Sequence, residues 1–175
     1  MKYFLLIVTL IFSTSLFAEK YIEIDKKTLT LRLREDDKIL QEHPVCLAIK
    51  YGPKKRRGDH KTPEGTYKIN MIQPSSGWTH DFHDGKGQRR GAYGPWFFRL
   101  DFPYSDKIGI HGTCFPESMG KRESDGCIRM INEELEMLHP HVFKGMKVVI
   151  LPDVISDPTP ATTVFRLFAS AAKPS

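Results

Sequence analysis

Two side chains frame the stretch HGTCFPESMGKRESDGCIRM (111–130): His111, which closes an apolar run, and Cys127, which follows Ser124-Asp125-Gly126. A thiol with its ordinary pKa of about 8.5 is mostly protonated at neutral pH and needs help to become a nucleophile. A neighbouring imidazole can take the proton and leave a thiolate–imidazolium pair. If the runs that end at His111 and open at Cys127 are paired strands, their chains lie about 4.8 Å apart and the two side chains can meet. Gly112-Thr113 would let a backbone carbonyl approach the second ring nitrogen of His111, fixing its tautomer in place of the usual acid. Gly126 lets the chain turn tightly, so that adjacent N–H groups can point at a developing oxyanion. Arg129 shares a strand face with Cys127, where it could bind a substrate carboxylate.

Each residue alone has a plainer reading. A buried cysteine is usually structural, and a histidine near a strand end is more often a hydrogen-bonded bystander. Cys46, Cys114 and Cys127 make an odd set, which in an oxidising compartment leaves one thiol over for chemistry or for another chain. A Cys46–Cys114 bridge stays open, as sequence does not show whether the two are within bonding reach. His111-x-x-Cys114 with Cys127, or His80-x-x-His83 with either cysteine, can be drawn as a zinc set. There is no paired CxxC spacing and no HExxH, and no metal is assigned.

The elements that must position these groups read mainly as strands. In YIEIDKKTLTLRLREDDKILQEHPVCLAI, Leu29, Leu31 and Leu33 alternate with Thr30, Arg32 and Arg34, a period of two that puts the leucines on one face. Turns are predicted at Asp25-Lys26-Lys27 and Asp36-Asp37-Lys38. Further strands are predicted at 65–72, 96–102, 107–113 and 146–152. INEELEMLHPHV (131–142) carries the one helix, with Asn132 as its cap, Glu133 and Glu134 at its positive end and Pro140 as its stop. Between strands lies a long irregular stretch, 73–95, rich in glycine and aromatics, with Trp78, His80, Phe82, His83 and Tyr93. Such a loop in a compact domain is functional or disordered, and aromatics argue against disorder. The expected fold is a single mainly β domain, sandwich or barrel-like, with one short helix after the Cys127 strand.

The chain opens with MKYFLLIVTLIFSTSLFA: an early lysine, an apolar run from Tyr3 to Phe12, small polar residues and an alanine before Glu19. That is the layout of a secretory signal peptide, residues 1–18. Its apolar run is shorter than the roughly 20 residues of a spanning helix, so no integral membrane segment is expected after its removal. The domain is expected over 19–152, with a Pro-punctuated tail over 153–175. Losing the signal removes Lys2, so the formal charge goes from +5 to +5 − 1 = +4. This mild basicity does not mark a nucleic-acid binder. Its cations cluster in KYGPKKRRGDHK (50–61) and GKGQRR (85–90), where anionic cell-surface polymers or plain solvation are the competing readings.

HGT followed by SDGCIRM resembles the YkuD-type L,D-transpeptidases, cysteine enzymes of bacterial peptidoglycan. GDHKTPEGTYKI (58–69) resembles that family's Gly-…-Thr-Pro-x-Gly-Thr segment, and the resemblance covers roughly residues 20 to 152. It implies Cys127 as nucleophile, His111 as base, and backbone at Gly112 and Thr113 that orients the base. It implies that Ser124 and Gly126 shape the oxyanion site and that Arg129 binds or orders substrate. Asp125 stands where many members have histidine, which alters local charge and acceptor preference. Tyr93 and Trp96, at the end of the 73–95 loop, are further substrate-side candidates, with plain packing as the alternative.

The implied reaction is acyl transfer on peptidoglycan stem peptides outside the cytoplasm, in the periplasm or wall, without a cofactor. The carboxypeptidase reaction, with water as acceptor, and a non-catalytic wall-binding module are its competitors. Oligomeric state is not readable from the chain.

Overall fold

The computed structural model describes residues 18–103 and 107–153, so residues 1–17 of the expected signal segment, residues 104–106 and the tail beyond Asp153 lie outside the described residues. Twelve strands follow in order: β1 Lys20–Asp25, β2 Thr30–Glu35, β3 Lys38–Pro44, β4 Leu47–Ala48, β5 Gly65–Pro74, β6 Thr79–Asp81, β7 Gln88–Arg90, β8 Trp96–Leu100, β9 Gly109–His111, β10 Arg122–Ser124, β11 Ile128–Arg129 and β12 Lys147–Leu151. Among the described residues one α-helix, α1 (Asn132–Leu138), lies between β11 and β12. Eight strands form one sheet in the order β11-β9-β8-β5-β12-β1-β2-β3, while β4–β10 and β6–β7 form small pairs.

The sheet curls back on itself. The chain leaving β3 at one edge reaches Cys46, whose N–H and C=O both bond to Arg129 on the opposite edge strand, at 2.9 Å each. This largely removes the problem of two unpaired edges. The interior is filled by the alternate residues of successive strands: Ile22 and Ile24, Leu31 and Leu33, Val148 and Ile150, all essentially without exposure. Phe98, Ile110, Ile128 and Leu135 continue the same cluster toward the helix.

Several expectations change at the local level. Leu29 lies in the turn before β2 with φ +57, although its side chain still packs on the core. The stretch 73–95 is not simply irregular, since β6 and β7 pair within it as an antiparallel hairpin. Asn132 does not cap α1: Ile131 holds the cap position without a side-chain bond, and Asn132 Oδ1 instead accepts the Thr113 N–H at 2.9 Å. The α-helix stops at Leu138, and Pro140 falls in a 3₁₀ turn, His139–His141, that prolongs it. All three thiols are free, and Cys46 is fully buried, so no Cys46–Cys114 bridge is formed.

Asp153, just after β12, takes part in a buried charge cluster. It accepts the Gly52 N–H at 2.9 Å and pairs with Arg122 at 2.8 Å and Lys26 at 3.5 Å. Lys26 is itself fully buried, with Nζ on the carbonyls of Gly52 (2.9 Å) and Thr62 (3.1 Å) and on Glu64 Oε1 (2.6 Å). This charged knot ties the β1–β2 turn to the 50–64 segment, which carries one wall of the site.

Candidate active site

The parallel pair β9–β11 sets Ile110 beside Ile128 and His111 beside Arg129. Side chains alternate across a strand, so the isoleucines enter the core while His111 and Arg129 share the other face. Cys127, one residue before β11, falls on that same face, level with Gly109 and diagonal to His111. A cavity of about 450 Å³ opens there, lined among others by His111, Cys127, Arg129, Asp125, Ser124 and Tyr93.

His111 is buried and held in one tautomer. Its Nδ1 lies 2.5 Å from the Gly112 carbonyl, to which it donates, leaving Nε2 as the basic nitrogen. The ring stacks on Phe97 at 5.3 Å and meets Tyr93 edge-on at 5.0 Å. Gly112 is needed for this turn, because a Cβ there would lie 2.2 Å from Asn132 Oδ1 and 2.8 Å from the Gly94 backbone. Thr113 completes the turn, donating its N–H to Asn132 and accepting the Phe115 N–H at Oγ1. The residues after His111 thus act through its position and do not line the cavity.

The turn before Cys127 is held from within. Ser124 Oγ donates to the Cys127 carbonyl at 2.6 Å and accepts the Gly126 N–H at 3.2 Å. The Gly126 N–H is therefore engaged within the turn. Among the described residues the Cys127 N–H has no such partner. Gly126 has φ +147 and packs against Ile108 and the Lys61 carbonyl, a place closed to other residues.

Burial favours the uncharged forms of both groups. Desolvation pushes the Cys127 thiol up to about 11, against the pull of the Gly109 amide and the Arg129 cation. Desolvation also lowers His111 to about 3; the Gly112 carbonyl opposes this, and Arg129 and His80 add to it. Taken singly, each group is held toward its neutral form, thiol and imidazole.

The hairpin β6–β7 and its flanks roof the cavity with aromatic rings. Phe82 packs edge-on against Phe115 at 4.8 Å and lies under Arg129 at 5.8 Å. Tyr93 Oη is 3.1 Å from His80 Nδ1, and burial raises the Tyr93 pKa first, with the Cys127 charge adding to it. Trp96 is not part of this wall. It stacks on His139 at 3.9 Å and donates to Glu136, against the helix side of the molecule.

The zinc sets drawn from the sequence do not converge; among the described residues no three His, Cys, Asp or Glu side chains share a metal-sized site. Several wall residues were not singled out in the sequence, among them Arg57, Lys107 and His60. His60 lines the cavity with Nδ1 2.7 Å from Asp125 Oδ1 across 65 residues of chain. It sits inside the GDHKTPEGTYKI segment, but nothing in that segment alone shows that it faces Asp125.

A thiol, a tautomer-fixed imidazole and a guanidinium on one cavity are the parts that cysteine-dependent acyl transfer needs, carried on a curled β-sheet. The chain belongs to the YkuD family, the L,D-transpeptidase catalytic domain, whose model matches residues 19–150. It is 32% identical over 123 residues to YkuD of Bacillus licheniformis, covering 70% of this chain and 60% of that protein. Against YkuD of Bacillus subtilis it is 30% identical over 129 residues, covering 74% and 63%. The chain thus spans somewhat less than two thirds of these two relatives. The fold matches the catalytic domain of an L,D-transpeptidase from Enterococcus faecium with a TM-score of 0.56 at 21% identity, covering 77% of this chain and 98% of that one. The helical cell shape determining protein Pgp2 from Campylobacter jejuni (K307A mutant) matches with a TM-score of 0.58 at 25% identity, over 79% of this chain and 48% of that one. Among the described residues no helix is long and apolar enough to cross a membrane.

Proposed function

We propose that this protein is an exported L,D-transpeptidase that acts on peptidoglycan stem tetrapeptides through a thioester on Cys127. The observation that carries this reading is His111, locked through Nδ1 on Gly112, facing the same cavity as Cys127 one strand away. Family membership supports the reaction class, and the N-terminal segment supports export.

Because each group is held toward its neutral form, proton transfer accompanies attack. Cys127 Sγ adds to the carbonyl of the third stem residue while His111 Nε2 takes its proton. The oxyanion forms beside the Cys127 N–H, with the Arg129 cation in the same cavity. The imidazolium then protonates the departing D-alanine nitrogen and the thioester remains. An acceptor amine resolves it to a cross-link or an attachment, and the Cys127 thiol is restored.

The test is intact-protein mass after mixing with a purified disaccharide-tetrapeptide, with small products collected. An adduct and released D-alanine, both lost in Cys127→Ala, are expected. Dimeric products mark transpeptidase action, and tripeptide alone marks the carboxypeptidase reaction. A folded protein with reduced Cys127 that gives neither adduct nor product would leave wall binding as the function.

A further inference from the structure

Three histidines, His60, His80 and His111, line the Cys127 cavity, and the reaction just described uses only His111. His60 stands at the rim, its side chain 45% exposed, with Asp125 Oδ1 at Nδ1. A carboxylate there keeps Nδ1 protonated and leaves Nε2 to accept. The surrounding loop is built to hold this ring in place. His60 has φ +55, uncommon for a residue with a side chain, and its carbonyl accepts the Lys50 N–H at 3.0 Å. Asp59 is pinned by Lys54 Nζ and by the N–H groups of Lys55 and Arg56. The next carbonyl, of Lys61, lies against Gly126, so this loop and the Cys127 turn form one wall.

Besides the reacting Cys127 and His111, the charged and titratable groups that line the cavity with His60 are Asp125 on the Cys127 turn, Arg57 on its own loop, and Lys107, Arg129, His80 and Tyr93. A second cavity of about 470 Å³ adjoins this one and shares Asp125, Arg129, His80 and Phe82 with it. Its own walls bring Asp81, Glu117 and Glu123, so a cation crossing it toward Cys127 meets Asp125 at the boundary.

We propose that His60, oriented by Asp125, takes the first proton from an ammonium-bearing acceptor that approaches over this acidic side. The inference rests on the Cys127 acyl-enzyme above. An alkyl amine, with a pKa of about 10, reaches the site as an ammonium without a free electron pair. Its reaction with the thioester makes a C–N bond, breaks the C–S bond and sheds two protons. One passes through His111 to the departing sulfur and restores the neutral thiol. The other must leave before attack, and His60 at the rim takes it and passes it to water. Acylation has no such need: one proton goes from Cys127 through His111 to the leaving nitrogen, which gains its second from water after release.

The test follows decay of the acyl-enzyme, formed from the disaccharide-tetrapeptide, with two acceptors at neutral pH. One is a peptide with a free lysine-type ε-amine; the other is hydroxylamine, which is largely unprotonated there. His60→Asn suits the comparison because asparagine tolerates left-handed backbone, and Asp125→Asn accompanies it. Rates are read only on molecules that carry the adduct, so unfolded protein does not enter. The ratio of the peptide-amine rate to the hydroxylamine rate should fall on the order of ten- to a hundredfold in His60→Asn, and less in Asp125→Asn. Raising the pH toward the amine's own pKa should erase the deficit. A ratio that stays at the wild-type value in both variants, whether both rates drop or neither does, overturns the assignment. Absence of any adduct on the wild-type protein would instead sink the acyl-transfer reading, and this one with it.

Discussion

Two of the places where the molecule buries ionisable groups treat them in opposite ways. Around Lys26, two carbonyls and the carboxylates of Glu64 and Asp153 surround one ammonium, and Arg122 adds a second cation on Asp153. Burial raises the Asp153 pKa, but the Gly52 N–H and the two cations outweigh it, so the carboxyl stays below its usual range. At Cys127 and His111 the compensation is thin: an amide, a carbonyl and one guanidinium that disfavours protonation of the histidine. Burial with partners keeps charge and holds elements together. Burial without them suppresses charge until a reaction calls for it.

The largest expected effect is on thiol reactivity. With the Cys127 pKa near 11, about one thiol in 10⁴ is ionised at pH 7, against a few per cent for free cysteine. Alkylation of Cys127 by iodoacetamide should therefore be at least about a hundredfold slower than that of free cysteine at pH 7. It should climb with pH through the alkaline range without a plateau below pH 9. Fast alkylation already level at pH 6 to 7 would show a resting ion pair and undo the contrast with the Lys26 knot.

The second effect is on acid stability. The His111 pKa is about 3 when folded and about 6.5 when unfolded, so below pH 6.5 the unfolded chain binds the extra proton. Stability from this group is complete above pH 6.5 and is lost as pH falls toward 3, by an amount on the order of 5 kcal/mol. Urea midpoints between pH 4 and 6.5 isolate it, because Asp59 and Asp153, with lowered pKa values, lose their share only below the ordinary carboxylate range. His111→Gln should flatten this slope; an equal slope in the variant would place the acid sensitivity elsewhere.

The contrast between the two regions also explains what the sequence disclosed. The leucine alternation in 29–34 and the apolar runs carry the strand pattern, because side-chain burial on a sheet has a local period. His111 and Cys127 were legible because their neighbours, Gly112 and Gly126, mark turns that no other residue fits. The Lys26 knot was not legible, since Asp25-Lys26-Lys27 looks like any charged turn and its partners lie at Gly52, Thr62, Glu64 and Asp153. His60 was hidden for the same reason, with a partner 65 residues away. Protonation is not legible in residue types, which show which groups can pair but not how much water surrounds them.

The third effect is on the knot itself. Lys26→Met removes one ammonium and leaves Glu64 and Asp153 without a shared cation, which should cost about 3–5 kcal/mol in urea unfolding. Replacing Glu64 with Gln in the same chain should recover part of that loss, since the orphaned carboxylate is the larger part of the penalty. A cost below about 1 kcal/mol for Lys26→Met would mean that the knot is solvated and that its burial matters little.

The smallest effect separates packing from recognition at Trp96. From its position after the aromatic stretch this ring was a substrate-side candidate, yet it lies on His139 with its indole N–H on Glu136. Trp96→Phe keeps a ring over His139 and removes one exposed hydrogen bond, so stability should fall by about 0.5–1.5 kcal/mol. Acylation of Cys127 by the tetrapeptide should show no rise in KM, because Trp96 does not line the cavity. A raised KM at unchanged stability would put the indole back on the substrate side. In that case the helix end at His139, and not only the β6–β7 roof, would have to count as part of the binding surface.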